Sequence, residues 1–509
     1  MSRLFGRAGE SVTRSDRRER ELEFGSSFPP LTARPNRRRG LVDRWLREEP
    51  EEAADVRATG VDRGEEKADL GFEPVLRPAE KRNRRPAMQL EVKTLLNRIQ
   101  HFVGFVYSDI RLRSPRGKLC LEVTVESHQG RKGKCSECWR LAPGYDHLPE
   151  RWWLFVPVWG IVTWFRYAPR RVECAEHGVV VEHIPWSQGK RPVTTAMMGF
   201  LALWGQRLSW RETARVFQTS WEAVYRSVEW FVGWGLDHRK LQGVQSLGVD
   251  EIHWGQGKKA DQFLTVIYQI DSHCRRLLWV GRRRTQATLR QGLEALGPTV
   301  VGGLKFVCSD MWQPYLNVLA AKVGQALHVL DRFHITLHLN QAVDQVRRSE
   351  SVRLKGRPLA QRLKHMRWQL LRRGSRVRGR ARVKLDALVA SKLATARAWT
   401  LKDCFEYFWH YKSPIWAGSF LDYWCSRAMR SRLEPMQKIA RRLRAHETLL
   451  LNWFKAQGEI SNGPVEGLNN KIRVVTRRSY GFRTYKAMEI ALYHTLGKLP
   501  EPESAHRFC

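Results

Sequence analysis

From residue 245 onward, apolar residues alternate between short strand-like runs and helical stripes. One run ends on Asp250 and Glu251, and a polar bend follows it. A second run, Phe263–Ile270, is rich in the β-branched and aromatic residues that strands favour. This pattern predicts a β-hairpin with a carboxylate on its first strand. Because an unpaired buried carboxylate is costly, Asp250 must be solvated, paired or bound to a cation.

The pattern continues with a third strand at Leu277–Gly281 and an amphipathic helix. A fourth strand ends at Asp310, a second helix follows, and a fifth strand ends at Asp331 and His334. Three antiparallel strands, a helix and then a β-α-β unit is the order of a ribonuclease H-like domain. In that order Asp250 and Asp310 lie on neighbouring strands, so two acids far apart in the sequence can face one cavity.

Upstream of this region, residues 104–186 are predicted to be β-rich and residues 192–236 helical. Ser209 and Glu212 form a capping-box pattern at the start of one short helix. A three-residue turn separates that helix from a second one, Trp221–Val232. These proportions match a helix-turn-helix, and Arg226 on the second helix could meet DNA. An ordinary helical hairpin is the alternative interpretation.

Two pairs of metal-ligating residues lie within the β-rich region. Cys135 and Cys138 have a two-residue gap, and so do Cys174 and His177. Two such pairs can meet around one tetrahedral zinc ion, and thiolates with an imidazole suit zinc rather than magnesium. His183 is a possible substitute ligand. The alternative is a chance pair of reduced thiols near a surface histidine.

Residues 335–455 form a basic helical block with recurring tryptophans, whose default role is core packing. The dense cationic stretch 364–382 fits a surface that binds DNA phosphates, with a solvated helix face as the alternative.

After a turn, Pro464 is typical of a helix start and places Glu466 in the first helical turn. Asn469 shares the face of Glu466, and Lys471 and Arg473 follow. This grouping suits a metal site that touches phosphate, although a capping glutamate would also satisfy the helix dipole.

Composition adds a partner class. Among 509 residues, 88 Lys and Arg against 51 Asp and Glu leave a formal charge of +37. Because this excess is spread along the chain, it predicts a polyanionic partner, most simply nucleic acid. No apolar run has the length of a membrane span, and the first residues lack the apolar core expected of a secretory signal. An odd count of nine cysteines argues against a disulfide framework. These features suit a cytosolic chain.

Taken together, the chain resembles bacterial insertion-sequence transposases of the ISL-three type, a branch of the DDE transposases. The resemblance covers residues 88 to about 500. It rests on six motifs in order: CSEC, CAEH, LGVDEIHWG, SDMWQPY, VLDRFH and SNGPVEGLNNKIR. It implies a multidomain α/β protein in which a zinc-knuckle β-rich domain and a helix-turn-helix precede a ribonuclease H-like catalytic core with a large all-α insertion.

The resemblance also implies a site. Asp250, Asp310 and Glu466 would be the catalytic triad and would bind two Mg²⁺ ions, or Mn²⁺ in their place. One structural Zn²⁺ would be bound by Cys135, Cys138, Cys174 and His177. Asp331, His334, Asn469, Lys471 and Arg473 would support the site or contact DNA, with Asp331 the rival to Asp310 as second ligand. Glu251 is expected to face away from Asp250, since neighbouring strand positions point to opposite faces.

The expected domains are a disordered basic extension (1–87), a zinc-binding domain (88–190), a helix-turn-helix (191–240), the first part of the core (245–345), a helical insertion (346–458), the final core helix (459–500) and a tail (501–509). The expected partner is double-stranded DNA, both terminal inverted repeats and target, bound by a homo-oligomer. The alternative functions are a catalytically inactive DNA-binding regulator derived from a transposase, and a ribonuclease H-type nuclease. The nuclease leaves the zinc motif and the helix-turn-helix unexplained.

Overall fold

The first described part of the chain is β-rich, as its alternating pattern predicts. The computed structural model describes residues 91–255, 262–457, 459–460 and 463–503. The predicted extension 1–87 and tail residues 504–509 lie outside this part. The first elements are α1 (Val92–Ile99), β1 (Phe105–Arg113), β2 (Cys120–Ser127), β3 (Gly133–Lys134), β4 (Leu141–Ala142), β5 (Gly144–His147), β6 (Arg151–Val158), β7 (Ile161–Tyr167), β8 (Arg170–Cys174) and β9 (Gly178–Val181).

These strands form three small sheets. The largest has the order β1-β2-β7-β6, in which only β2 and β7 are parallel. Its core is aromatic: Trp153, Phe165 and Trp186 are almost fully buried. β5, β8 and β9 form an antiparallel sheet, and β3 pairs with β4. The two smaller sheets bring the segments around Cys135 and Cys174 together.

Three helices follow: α2 (Thr195–Arg207), α3 (Trp210–Val216) and α4 (Trp221–His238). The predicted capping box is formed, because the Ser209 side chain accepts from the Glu212 backbone N–H and the Glu212 side chain accepts from the Ser209 N–H. The helix that begins at Trp221 continues past the predicted end at Val232. It continues because Phe231, Val232 and Gly235 remain buried in the last two turns.

A five-stranded mixed sheet forms the centre of the larger α/β region. Its elements are β10 (Ser246–His253), β11 (Phe263–Ile270), β12 (Arg275–Arg282), α5 (Gln286–Leu296), α6 (Pro298–Gly302), β13 (Phe306–Ser309), α7 (Gln313–Lys322) and β14 (Leu327–Leu330). The strand order is β12-β11-β10-β13-β14. The first three strands are antiparallel, whereas β10, β13 and β14 are parallel. All five predicted strands are therefore present in the predicted chain order.

A helical region follows β14 and covers the edge of the sheet. It comprises α8 (Arg332–Arg353), α9 (Pro358–His365), α10 (Arg367–Leu371), α11 (Gly379–Val389), α12 (Ala394–Phe405), α13 (Pro414–Arg430), α14 (Glu434–Ala445) and α15 (Glu447–Lys455). Trp399, Trp409 and Trp424 are buried in its core, whereas Trp368 and Trp416 are exposed. Helix α8 runs without a break across position 345, the expected end of the first core segment.

The last two helices, α16 (Gly463–Arg478) and α17 (Tyr485–Leu496), return to the sheet. Their apolar residues share one core with α2, α4 and one face of the sheet. Helices α5 and α7 cover the opposite face. None of the helices in the described part of the chain has the length and apolar character needed to cross a membrane. The chain is thus a mixed α/β protein whose central sheet is enclosed by helices.

Candidate active site and metal centre

Three acids line up at the carboxyl ends of the parallel strands. Gly248 on β10 pairs with Cys308 on β13, so Asp250 and Asp310 each lie two residues beyond the same pair. Ser309 in turn pairs with Leu330 on β14, and the next residues are Asp310 and Asp331. The register therefore brings carboxylates from three neighbouring strands to one edge of the sheet.

Asp250 is buried, with 7% of its surface exposed. Its carboxylate accepts hydrogen bonds from the Glu251 backbone N–H (2.8 Å) and from Asn469 Nδ2 (2.7 Å). The Asn469 side-chain oxygen accepts from the Tyr268 hydroxyl at 2.7 Å. Desolvation raises the pKa of Asp250, against the opposing influence of His334 and these hydrogen bonds. Such a carboxylate would gain from a bound cation.

His334 is a cation close to these acids. Its Nδ1 donates to Asp331 Oδ2 at 2.5 Å, on the first turn of α8. Burial lowers the pKa of His334, but the hydrogen bond to Asp331 and the charges of Asp331, Asp250 and Asp310 outweigh burial and raise it to about 9. The imidazole is therefore protonated at neutral pH and partly offsets the negative charge of the site. The Asp331–His334 pair thus stands beside Asp250 and Asp310.

A partly buried ion pair that the sequence analysis missed lies on the other side of Asp310. Arg284 contacts Glu251 Oε1 at 2.7 Å and Asp310 Oδ2 at 3.4 Å, and it lies 4.1 Å from the centre of the Trp312 ring. Although Glu251 is expected to face away from Asp250, it shares Arg284 with Asp310. Desolvation and the nearby Asp310 charge nevertheless raise the pKa of Glu251 to about 7. A run of three arginines at 282–284 gave no signal of which one turns inward.

Glu466 lies on α16, which packs on the same sheet face as Asp250. Val465 fits against Gly248, where an added Cβ would come 2.3 Å from a Val465 methyl carbon. One turn later, Asn469 reaches Asp250. Glu466 lies between these two anchors in the sequence but is exposed, as are Lys471 and Arg473. Glu466 is therefore on the helix that covers the acids, with its side chain directed to solvent.

The second predicted centre is assembled in the β-rich region. Donor atoms of Cys135, Cys138, Cys174 and His177 all lie within 4.8 Å of one another. A hydrogen bond with His177 lowers the pKa of Cys174 to about 6, which favours the thiolate. His183 does not belong to this group and packs against Trp139, with ring centroids 4.1 Å apart. Three thiolates and an imidazole at this spacing fit a tetrahedral zinc ion.

Within the described residues, that Cys₃His group is the only set of three or more potential ligands that is already so closely gathered. The carboxylates of Asp250, Asp310 and Glu466 do not form such a closely spaced group. All three are hard oxygen donors, the chemistry that Mg²⁺ prefers.

On α4, the second helix of the predicted helix-turn-helix, the Arg226 side chain is held in ion pairs with Glu222 and Glu229 of the same helix. Its charge is therefore partly compensated within the protein.

The fold and the two centres define an α/β protein with a row of strand-end acids and a separate Cys₃His cluster. A family model described as "Transposase", for ISL-three-type DDE transposases, matches residues 247–492. The chain is 27% identical over 317 residues to the transposase for insertion sequence element IS1001 of Bordetella parapertussis, covering 62% of this chain and 76% of that protein. It is 25% identical over 409 residues to the transposase for IS1557 of Mycobacterium tuberculosis, covering 73% and 88% respectively.

Residues 247–492 are therefore similar to the insertion-sequence transposases of the ISL-three type. The matched region begins on β10 and ends within α17, so it contains every strand and helix that carries the strand-end acids, the Asp331–His334 pair and Glu466. The resemblance inferred from the six sequence motifs is confirmed.

Proposed function

We propose that this protein is the transposase of an insertion sequence, binding the terminal inverted repeats of its element and cleaving and joining DNA by a DDE mechanism. The central region would be a ribonuclease H-like core interrupted by the helices α8–α15. Three antiparallel strands followed by two parallel ones, in the order β12-β11-β10-β13-β14, support this assignment. The family relationship supports DNA as the substrate.

The observation that carries the proposal is the convergence of Asp250, Asp310 and the helix of Glu466. The two aspartates share a register across parallel strands, and Asn469 ties the helix to Asp250 at 2.7 Å. The exposed Glu466 would approach the two aspartates when DNA and cations are bound. These three acids would hold two Mg²⁺ ions, or Mn²⁺. When bound, the ions would activate water and stabilise the leaving oxygen of a phosphodiester.

The protein's own groups prepare this site. Asn469 orients the buried Asp250 carboxylate and is itself held by the Tyr268 hydroxyl. The protonated His334 supplies a positive charge next to the acids and to an incoming phosphate. Lys471 and Arg473 on the exposed side of α16 would contact the DNA backbone. Neither cleavage nor strand transfer needs a covalent protein intermediate, since water and then the freed 3′-hydroxyl act as nucleophiles.

A cleavage assay with end-containing DNA and Mg²⁺ tests the acids directly. We expect Asp250→Asn, Asp310→Asn and Glu466→Gln to lose cleavage while retaining DNA binding. Glu294→Gln, which changes an exposed acid on α5, is the matched control and should cleave normally. If Asp310→Asn still cuts and Asp331→Asn does not, the second ligand is Asp331 instead.

A catalytically inactive DNA-binding regulator derived from a transposase is the second candidate function. The exposed position of Glu466 and the open arrangement of the three acids favour it. The same assay separates the two functions. A wild-type protein that binds the repeats but never cleaves them, with either Mg²⁺ or Mn²⁺, would be such a regulator.

We also propose that Cys135, Cys138, Cys174 and His177 bind one structural Zn²⁺. Metal analysis of the purified protein should find about one Zn²⁺ per chain. Chelation, or Cys138→Ser, should loosen the segments around residues 133–183 and expose them to proteolysis, because the strands there are short. Cys274→Ser changes a cysteine outside the cluster and should have no effect. A zinc content near zero in the folded wild-type protein would contradict the proposal.

The helices α3 and α4 would serve as a helix-turn-helix that contacts the terminal repeats. Their short connection, Phe217 to Ser220, supports this role. A homo-oligomer would hold two element ends together for joining. Sedimentation of the protein with and without end DNA tests this expectation, and a monomer on paired ends would contradict it.

A further inference from the structure

A large groove lies between α3 and the loop that joins α16 to α17. Its volume is about 1030 Å³. Its lining includes Trp210, Trp221, Tyr480 and Phe482 together with the arginines at positions 211, 215, 478 and 483. This set combines aromatic rings with arginines. The strand-end acids are not part of its lining. One wall belongs to the proposed helix-turn-helix, whereas the loop between α16 and α17 has no role in the reactions proposed above.

The aromatic side chains form a wall with one ring projecting beyond it. Trp210 packs between Trp221 and Phe482, with ring centroids 6.3 Å from each. Trp221 is 50% exposed, and Tyr480 is 99% exposed. Tyr480 adopts a left-handed conformation (φ 53°), and its backbone N–H donates to the Arg477 carbonyl at 3.0 Å. The backbone therefore holds the tyrosine ring in solvent, where apolar surface has no stabilising partner.

The charge on the groove is almost entirely positive. Arg211, Arg215 and Arg483 are exposed, and none of their guanidinium groups forms a hydrogen bond or ion pair with the described part of the chain. Arg478 is fixed, because it donates to the carbonyls of Gln206 and Arg207. Glu212 is the one acid in the lining, and its carboxylate is engaged by Ser209 in the capping box. Guanidinium groups without a partner in the protein are suited to bind an anionic ligand.

An exposed stripe on α16 connects this groove to the candidate active site. Glu466, Asn470, Arg473 and Arg477 recur at helical spacing on one exposed face. Arg478 lies twelve positions after Glu466, which corresponds to about 18 Å along the helix axis. A DNA strand with stacked nucleotides about 3.4 Å apart would need about five nucleotides to cover that length. The groove is thus within reach of a strand that is bound at the acids.

We propose that the groove binds unpaired nucleotides of the DNA strand that continues past the cleavage site. This inference rests on the proposed function. Aromatic side chains stack on any base whose face is open, and arginines follow the phosphates. Inside a duplex, base faces are covered by neighbouring pairs, so only an unpaired segment can use the exposed Tyr480 ring. The combination of an aromatic wall with unpaired guanidiniums favours single-stranded DNA over a protein segment.

A binding titration without divalent cations tests the groove independently of cleavage. Fluorescence anisotropy of the full chain would be measured with a short oligodeoxythymidylate and with a blunt duplex of equal length. We expect Tyr480→Asn, which suits the left-handed backbone but removes the ring, to weaken oligodeoxythymidylate binding by about tenfold. Duplex binding should be nearly unchanged. Tyr480→Phe keeps the ring and should bind like the wild type.

Trp159→Asn is the matched control, because Trp159 is also left-handed (φ 51°) and 73% exposed but lies in the turn between β6 and β7. It should leave binding of both probes unchanged. Equal binding by Tyr480→Asn and wild type would overturn the proposal, as would an equal loss on both probes. A change in oligomeric state on sedimentation of Tyr480→Asn would also overturn it, since a second copy would then occupy the groove. If Tyr480→Asn selectively loses oligodeoxythymidylate binding but the wild-type protein never cleaves DNA, the groove proposal stands and the proposed enzymatic function is refuted.

Discussion

At the scale of single residues, the hydrophobic periodicity of the sequence identifies Asp250 and Asp310 as strand-end acids. The register of the strands explains why these two acids lie close together. The sequence analysis could place Asp250 and Asp310 on neighbouring strands because the apolar runs fix strand order. It could not find Arg284, because inward orientation of one arginine among three depends on tertiary packing over Trp312. Arg284 is the group that bridges Glu251 and Asp310. The acids therefore depend on a partner that no local pattern predicts.

Replacing Arg284 should expose that dependence. Arg284→Ala leaves two partly buried carboxylates without their cation, and Glu251 Oε2 already lacks a hydrogen-bond partner. We expect the free energy of unfolding to fall by about 1–3 kcal/mol, the usual cost of leaving a partly buried polar group without its partner. Urea unfolding at neutral pH measures the change.

The double variant Arg284→Ala with Glu251→Gln should recover part of that loss, since it removes the unpaired charge. Arg226→Ala is the control, because Arg226 forms exposed ion pairs that contribute little. Additive losses in the double variant would show that Glu251 and Arg284 act independently.

At the scale of elements, strands and helices were largely predictable, whereas the docking of α16 on the sheet was not. Pro464 and the apolar stripe indicate a helix, but nothing local says which strand it meets. The contact depends on the absence of a side chain at Gly248, where Val465 fits closely against β10. In a sequence that predicts a strand, a single glycine is easily interpreted as a position that only weakens the strand. Here it allows the Glu466 helix to approach the aspartates.

Filling that position should move α16. Gly248→Ala would place a methyl group 2.3 Å from a Val465 carbon and 3.2 Å from an Ile270 carbon. We expect a loss of about 1–3 kcal/mol in the free energy of unfolding, with a larger proportional loss of DNA cleavage than of DNA binding. Urea unfolding and the Mg²⁺ cleavage assay measure the two effects.

Val465→Ala in the same chain removes the clashing carbon, so the double variant should regain stability and cleavage relative to Gly248→Ala alone. Gly144→Ala serves as the control, because no atom lies within 4 Å of an added Cβ at that strand position. A Gly248→Ala protein with normal stability and cleavage would mean that α16 does not need this close contact.

At the scale of the whole molecule, helices that are far apart in the sequence pack as one unit. Gln206 on α2 donates to the His494 carbonyl on α17, and Arg478 on α16 donates to the carbonyls of Gln206 and Arg207. These partners are more than 270 residues apart, so sequence periodicity could not pair them. The proposed helix-turn-helix is therefore not separate from the core: α4 and α17 share one apolar cluster with the central sheet.

His494 makes this junction sensitive to acid. Its ring is buried against Phe231, and desolvation together with the charge of Arg478 lowers its pKa to about 3. An unfolded chain binds the proton near pH 6.5, so the unfolded state holds more protons between that pH and the folded pKa. His494 therefore stabilises the fold above pH 6.5 and loses this contribution as the pH falls towards 3.

We expect His494→Gln, which stays neutral, to unfold with a weaker pH dependence than wild type between pH 6.5 and 4. Urea unfolding at several pH values measures the slope in each protein. His328, whose pKa burial lowers to about 4, is present in both and adds the same slope. His273→Gln changes an exposed histidine and should keep the wild-type slope. If the free energy of unfolding has the same pH dependence in His494→Gln and wild type, His494 is not protonated on unfolding at acid pH. Other groups would then cause the acid sensitivity.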